Sequence, residues 1–103
     1  MTDFYIKQND TSPKIRYALL PTVDVAGASI KFHMKNSADV TKVDAAGTII
    51  QANPAIVAYT WLAADTDTVG TFEAEFEVTF ADGSVETYPN FGNLEIVIAD
   101  DIA

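Results

Sequence analysis

The sequence predicts a single all-β domain, an antiparallel sandwich of seven to nine strands that spans residues 1–103. Three observations predict it. A chain of this length fits one domain, and a composition of 49% hydrophobic and 20% charged residues suits a globular domain with its own core. Hydrophobic residues recur with a period of two, and turn residues separate the short hydrophobic runs.

The clearest strand covers residues 71–80. Hydrophobic side chains alternate there with polar ones, so that Phe72, Phe76 and Phe80 share one face with Ala74 and Val78. Asp82 and Gly83 form a strong hairpin signal, and residues 85–88 then return antiparallel. Pro89 and Gly92 end this strand, and residues 94–99 form the last one.

The first half follows the same pattern, with strands over residues 4–7, 14–20, 28–35 and 55–62. Gly47 is predicted to turn a hairpin between residues 40–44 and 48–51. Asp65 is predicted to cap one helical turn before Gly70 ends it. The predicted core consists of Ile15, Tyr17, Ile30, Phe32, Ile56, Phe72, Phe76, Phe80 and Ile96.

The charge is unevenly distributed along a chain whose net charge is −9. The six basic residues all lie within the first 42 positions: Lys7, Lys14, Arg16, Lys31, Lys35 and Lys42. Residues 43–103 contain eleven acidic residues and no Lys or Arg. Because nucleic-acid binding needs basic groups to neutralise phosphates, we expect no nucleic-acid partner. The asymmetry indicates either solubility through self-repulsion or a polarised domain that meets a basic neighbour.

Several classes of function find no support. The chain has no cysteine, which removes disulfides, thiolate nucleophiles and the common zinc-finger sites. No hydrophobic run reaches the roughly 18 residues that span a bilayer, and the first residues lack a signal-peptide pattern. We therefore expect a protein made in the cytosol without membrane, metal or cofactor, and not an enzyme.

The candidate chemical groups favour structural roles. His33 lies on a polar strand face between Lys31 and Lys35, with no nucleophile motif beside it. Glu73, Glu75 and Glu77 form an acidic row along an open strand face, which offers no cleft for paired catalytic carboxylates. We expect this row to pair across strands with Lys31 and Lys35, or with Lys14 and Arg16.

Two further groups have alternative interpretations. Asp65 with Asp67, and Asp100 with Asp101, offer oxygen ligands for Ca²⁺, but a lone pair of aspartates is also typical of turns and chain ends. Trp61, Tyr59, Tyr88 and Phe91 form either an exposed carbohydrate-binding patch or parts of the core and rim. Phe91, between Asn90 and Gly92, is the one aromatic residue in a predicted loop and the best candidate for an exposed contact.

Four blocks of sequence resemble a known family. They are residues 4–13, 27–34, 59–66 and 70–83, followed by Tyr88 and Pro89. In this order they resemble the immunoglobulin-like domain at the N-terminus of phage baseplate upper proteins, and small stand-alone phage proteins of similar size. The resemblance implies an immunoglobulin-like sandwich and transfers no catalytic residues. Baseplate upper proteins continue into further domains, whereas this sequence stops at Ala103.

The resemblance also implies a function, location and partners. We expect a structural component of a bacteriophage virion, in the tail or baseplate or at the head–tail connection, assembled in the host bacterial cytoplasm. It would contact other virion proteins in many copies, with a homo-oligomer as one arrangement. The candidate interface residues are Phe91, Asn90, Tyr88, Lys14 and Arg16. The alternatives are a capsid decoration protein and a carbohydrate-binding module that aids host adsorption.

Overall fold

Nine strands form the described part of this protein, a computed structural model that describes residues 3–19, 23–100 and 102. They are β1 (Asp3–Lys7), β2 (Ile15–Ala18), β3 (Ser29–Lys35), β4 (Thr41–Ala46), β5 (Thr48–Ala52), β6 (Ala55–Tyr59), β7 (Gly70–Thr79), β8 (Val85–Tyr88) and β9 (Leu94–Ala99). One 3₁₀ turn, Ala63–Asp65, lies between β6 and β7. The prediction of an all-β, immunoglobulin-like sandwich with seven to nine strands is confirmed.

Two sheets build the sandwich. The main sheet has the order β1-β9-β7-β3-β4, and the small sheet has the order β2-β6-β5. The long strand β7 has two partners on one side, because β9 pairs with its first half and β8 with its second half. The pair β1–β9 is parallel, which the expectation of a purely antiparallel sandwich did not include. The predicted Asp82–Gly83 hairpin does join β7 to β8.

The core lies between the inner faces of the two sheets. Phe32 is its centre: its ring centroid lies 4.6 Å from that of Tyr59, 5.0 Å from that of Phe76 and 5.5 Å from that of Trp61. Six predicted core residues are buried: Ile15, Ile30, Phe32, Phe72, Phe76 and Ile96. Tyr17 and Phe80 are half-buried against them.

One core prediction is wrong. Ile56 lies on the outer face of β6 and is half-buried there, because its neighbours Ala55 and Val57 point inward. Side chains on a strand alternate between faces, so a strand that turns Val57 and Tyr59 to the core must turn Ile56 away from it.

Gly47 does not turn a hairpin. It marks the point where the chain leaves β4 in the main sheet and enters β5 in the small sheet. Its amide donates to the carbonyl of Ile30 at 2.9 Å. A Cβ at this position would lie 2.9 Å from Ile30 Cγ2 and 3.0 Å from the Ala58 carbonyl oxygen, so the corner requires glycine for space.

The 3₁₀ turn is held by Asp65, although not as predicted. Asp65 is the last residue of the turn instead of its N-cap. Its carboxylate accepts a hydrogen bond from the Leu62 amide at 2.8 Å and another from the Tyr59 hydroxyl. A buried carboxylate with two donors is a satisfied structural group.

Candidate functional site

A cleft of about 350 Å³ lies on the outer face of the main sheet. We call it the outer cleft. It is lined by His33, Met34, Lys35, Thr41, Asp44, Glu73, Ala74, Glu75 and Asn93. Strands β3, β4 and β7 and the segment before β9 supply these residues. The polar half of the alternating pattern in β3 and β7 therefore becomes the wall of the cleft.

The acidic row of β7 lies beside the basic side of β3, as predicted. The register places Lys31 opposite Glu77, His33 opposite Glu75 and Lys35 opposite Glu73. The alternative partners, Lys14 and Arg16, are wrong because they belong to the small sheet. Polar groups of opposite charge at directly opposite positions contribute modestly to sheet pairing.

The closest partners of the two lysines, however, come from other acidic residues. Lys31 Nζ lies 3.4 Å from Asp44 Oδ1, and Lys35 Nζ lies 2.7 Å from Asp39 Oδ1. The hydrogen bond and charge of Lys35 hold the pKa of Asp39 below its usual value. As a result, the ammonium group of Lys35 bonds to a carboxylate that does not line the cleft.

His33 lies between two carboxylates. Its Nε2 is 3.3 Å from Asp44 Oδ1 and its Nδ1 is 3.5 Å from Glu75 Oε2. Of the two lysines near His33 in sequence, Lys31 shares Asp44 Oδ1 with it, whereas Lys35 bonds to Asp39. The environment of His33 in the fold is thus acidic, although its sequence neighbours are basic.

Glu73 and Glu95 make the least compensated part of the cleft and its rim. They are directly opposite each other on β7 and β9, and like charges at such positions destabilise a sheet. Glu73 Oε2 accepts a hydrogen bond from Asn93 Nδ2 at 2.6 Å. Within residues 3–19, 23–100 and 102, neither Glu73 nor Glu95 forms an ion pair.

The residues predicted as an interface do not form one surface. Phe91 is 95% exposed, and Asn90 holds its loop by donating to Glu86 Oε2 and the Thr87 carbonyl, both at 3.0 Å. Lys14 and Arg16 are exposed on the other sheet. The prediction of Tyr88 as an interface residue is wrong, because it is only 1% exposed on the inner face of β8 and is not available for surface contact.

The predicted carbohydrate-binding patch is also wrong. Trp61 is 1% exposed and Tyr59 is buried, since both pack against Phe32 in the core. Burial raises the pKa of Tyr59 well above its usual range, and its hydrogen bond to Asp65 adds to this shift. Neither ring can stack on a sugar at the surface.

The predicted calcium ligands have other partners. Asp65 is buried against Tyr59, and Asp67 pairs with the ammonium of Lys42. The hydrogen bonds from Lys42 and Thr68 lower the pKa of Asp67. Asp100 accepts a hydrogen bond from Lys7 through its carbonyl, and Asp101 lies outside the described residues.

Three polar residues that line the cleft were not predicted as a site from the sequence: Thr41, Asp44 and Asn93. The first two belong to β4, which was predicted as half of a hairpin with β5 and not as the neighbour of β3. Asn93 lies in a loop with no pattern of its own. A correct placement of β4 beside β3 would have brought Asp44 opposite His33.

Comparison with known proteins supports the fold. No family model matches the chain, and no curated protein matches it. Among solved structures, it is similar to CopC from Methylosinus trichosporium OB3b, with a TM-score of 0.59 and 14% sequence identity. The match covers 100% of this chain and 89% of that chain. At this identity the likeness shows a shared immunoglobulin-like sandwich.

The same finding corrects the predicted function. CopC is a copper-handling protein and not a phage protein. The expected role as a structural component of a phage particle, with capsid decoration and carbohydrate binding as alternatives, is therefore wrong. The resemblance to baseplate upper proteins stays a prediction. Among the described residues, no helix is long and apolar enough to cross a membrane.

The residues that the structure describes do not bring together the ligands of a copper ion. Copper favours imidazole, thiolate and thioether donors, but the chain has one histidine and no cysteine. The side chain of Met34 is buried in the core. Across the described ranges, no group of three or more His, Cys, Asp and Glu side chains is placed to hold a metal ion. The outer cleft is thus a site of hydrogen-bonding and charged groups.

Proposed function

We propose that this domain is a non-enzymatic binding module whose outer cleft takes up a cationic side chain of a partner protein. The observation that carries the proposal is the pair formed by Glu73, which lines the cleft, and Glu95 opposite it on β9, since neither forms an ion pair within the described residues. The other two lining carboxylates are partly compensated by Lys31 and His33, and the lining Lys35 is bonded to Asp39. A concave site with convergent polar groups is the usual form of a binding site.

An arginine side chain fits this arrangement best. A guanidinium group is planar and presents several donors, so it can bond two carboxylate oxygens at once. Glu73 and Glu95 occupy directly opposite positions on neighbouring strands and so belong to the same face of the sheet. Binding of a guanidinium there would replace a like-charge contact with two attractive ones. The net charge of −9 would also attract a basic partner over longer range.

The arrangement favours binding over catalysis. His33 has a carboxylate on each side, and Glu73 is held by Asn93, so both groups are oriented by neighbours. The cleft is half-open at the surface of a sheet. Catalytic carboxylates need unequal, water-excluding environments, which such a face does not provide.

The test is a titration of the labelled protein with an amidated triarginine peptide, followed by amide chemical shifts. The control peptide carries citrulline, which has nearly the same shape without charge. We expect shifts from triarginine that concentrate on β3, β4, β7 and the segment before β9, and none from tricitrulline. Equal shifts from both peptides, or shifts confined to another face, would contradict the proposal.

A matched pair of variants locates the site. Glu73→Gln removes a charge that lines the cleft, whereas Glu77→Gln removes one on the same strand outside it. We expect Glu73→Gln to weaken triarginine binding by about tenfold, which corresponds to about 1.4 kcal/mol. Glu77→Gln should weaken it much less. Equal losses would show general attraction to an acidic protein. Shifts of the His33 ring with copper alone would instead indicate a metal site.

A further inference from the structure

Among the described residues, two basic side chains have neither an ion-pair nor a hydrogen-bond partner. Lys31, Lys35 and Lys42 form ion pairs, and Lys7 donates to the Asp100 carbonyl at 3.3 Å. In the part of the chain that the structure describes, Lys14 and Arg16 form no ion pair or hydrogen bond through their side chains. Arg16 lies on β2, an edge strand of the small sheet, and Lys14 immediately precedes this strand.

The fold prevents these two residues from reaching the outer cleft of their own molecule. Ile15 is buried and Tyr17 packs on the core, so the alternation of β2 turns Arg16 outward from the small sheet. Glu73 and Glu95 turn outward from the main sheet. The hydrophobic core separates the two faces. These charges therefore cannot meet within one molecule.

We infer that the occupant of the outer cleft is a second copy of this chain, which inserts Arg16, with Lys14 beside it, in a head-to-tail arrangement. This inference rests on the proposed function, because it names the partner of the same site. Arg16 is exposed, and it lies opposite Ala58 in the register of β2 and β6. The contact is heterologous, so a pair of copies keeps one free cleft and one free Arg16.

The net charge limits the strength of this association. Each copy carries −9, and the repulsion between copies opposes a contact that is attractive only locally. We therefore expect monomers in dilute solution and short stacks at high protein concentration. Removing one charge changes the general repulsion between copies only a little. A specific contact is therefore recognised because the loss of a single residue abolishes the association.

The test measures mass by sedimentation velocity over a concentration series. We expect the mass of the wild-type protein to rise with concentration. Arg16→Gln alone, and the double variant Glu73→Gln/Glu95→Gln alone, should stay monomeric at the same concentrations. Their equimolar mixture should form dimers and nothing larger, because the first variant keeps an intact cleft and the second keeps an intact Arg16.

The control is Lys7→Gln, which removes one positive charge from an exposed residue of the main sheet. It should associate like the wild type. A wild-type protein that stays monomeric at every concentration, or an Arg16→Gln variant that associates equally well, would overturn the inference. Triarginine binding to the cleft would still support the proposed function in either case, so the two failures are distinguishable. Circular dichroism of each variant verifies its folding.

Discussion

The two faces of the main sheet differ in how their residues are satisfied. On the inner face of β7, Phe72, Phe76 and Val78 are buried against the small sheet. On the outer face of the same strand, Glu73 lies between Glu95 on β9 and Lys35 on β3, whose ammonium group is bonded to Asp39. Alternate residues of one strand therefore have different roles. The inner residues stabilise the fold, whereas the outer carboxylates retain an unfavourable arrangement that a bound cation would relieve.

The largest effect should come from the inner face. Phe76 is fully buried and its ring lies 5.0 Å from that of Phe32 and 6.1 Å from that of Tyr17. We expect Phe76→Ala to lower the free energy of unfolding by about 3–5 kcal/mol, since it leaves a cavity at the centre of the core. Urea denaturation measures this. Glu75→Ala, one residue earlier on the outer face, should change it by less than about 0.5 kcal/mol. Similar losses for both would erase the distinction between the faces.

The corner between the two sheets should show an intermediate effect. Gly47→Ala would place a methyl group 2.9 Å from Ile30 Cγ2 and 3.0 Å from the Ala58 carbonyl oxygen. We expect a loss of about 1–3 kcal/mol in the free energy of unfolding, because overpacking forces neighbours to move. Thermal unfolding monitored by circular dichroism measures it. An unchanged midpoint would mean that the chain crosses between sheets less tightly than the structure shows.

Alkaline pH should separate buried from exposed phenols. Burial raises the pKa of Tyr88 to about 12, with a further contribution from the charge of Glu86. Burial and the Asp65 hydrogen bond raise that of Tyr59 above its ordinary value of 10.0. The folded protein thus holds these protons more tightly than the unfolded chain. The stability they contribute is complete below about pH 10 and is lost as pH rises through about 12.

Urea midpoints across this pH range check the prediction. We expect a flat midpoint up to about pH 9 and a fall between about pH 10 and pH 12. Tyr88→Phe should fall less steeply, because it lacks one of the titrating groups. Tyr5→Phe is the matched control, since Tyr5 is exposed on β1 and the substitution should leave the fall unchanged. If the urea midpoint of Tyr88→Phe falls as steeply as that of the wild type, the fall is caused by other titrating groups.

The smallest effect on stability should come from the outer face. Glu73→Gln relieves the like-charge contact with Glu95 and keeps an oxygen that can accept from Asn93. We expect the free energy of unfolding to stay the same or to rise by a few tenths of a kcal/mol. Urea denaturation measures it at neutral pH. A loss of about 1 kcal/mol or more would mean that Glu73 is part of the structural framework.

The sequence predicted the local elements of this fold and missed its long-range connections. The alternation in β7 and the Asp82–Gly83 turn were sufficient to predict β7 and its hairpin with β8. Nothing local indicates that β1 pairs with β9, because the two strands lie at opposite ends of the chain. A period of two specifies which side chains share a face, but not which strand lies beside which.

The candidate site was predictable only in part for the same reason. The carboxylates of Glu73 and Glu75 and the ring of His33 were expected on one polar face. The cleft also needs Asp44 and Asn93, which come from β4 and from the loop before β9. Gly47 was interpreted as a hairpin turn because glycine is typical of turns, whereas its role is to leave space at a crossing between sheets.

We propose that the outer carboxylates serve binding and not stability. The most direct measurement is the affinity of an amidated triarginine peptide for Glu73→Gln, by calorimetry, in a protein verified to be as stable as the wild type. We expect about tenfold weaker binding for Glu73→Gln than for the wild type. Unchanged affinity, or a stable wild-type protein that does not bind triarginine at all, would contradict the claim.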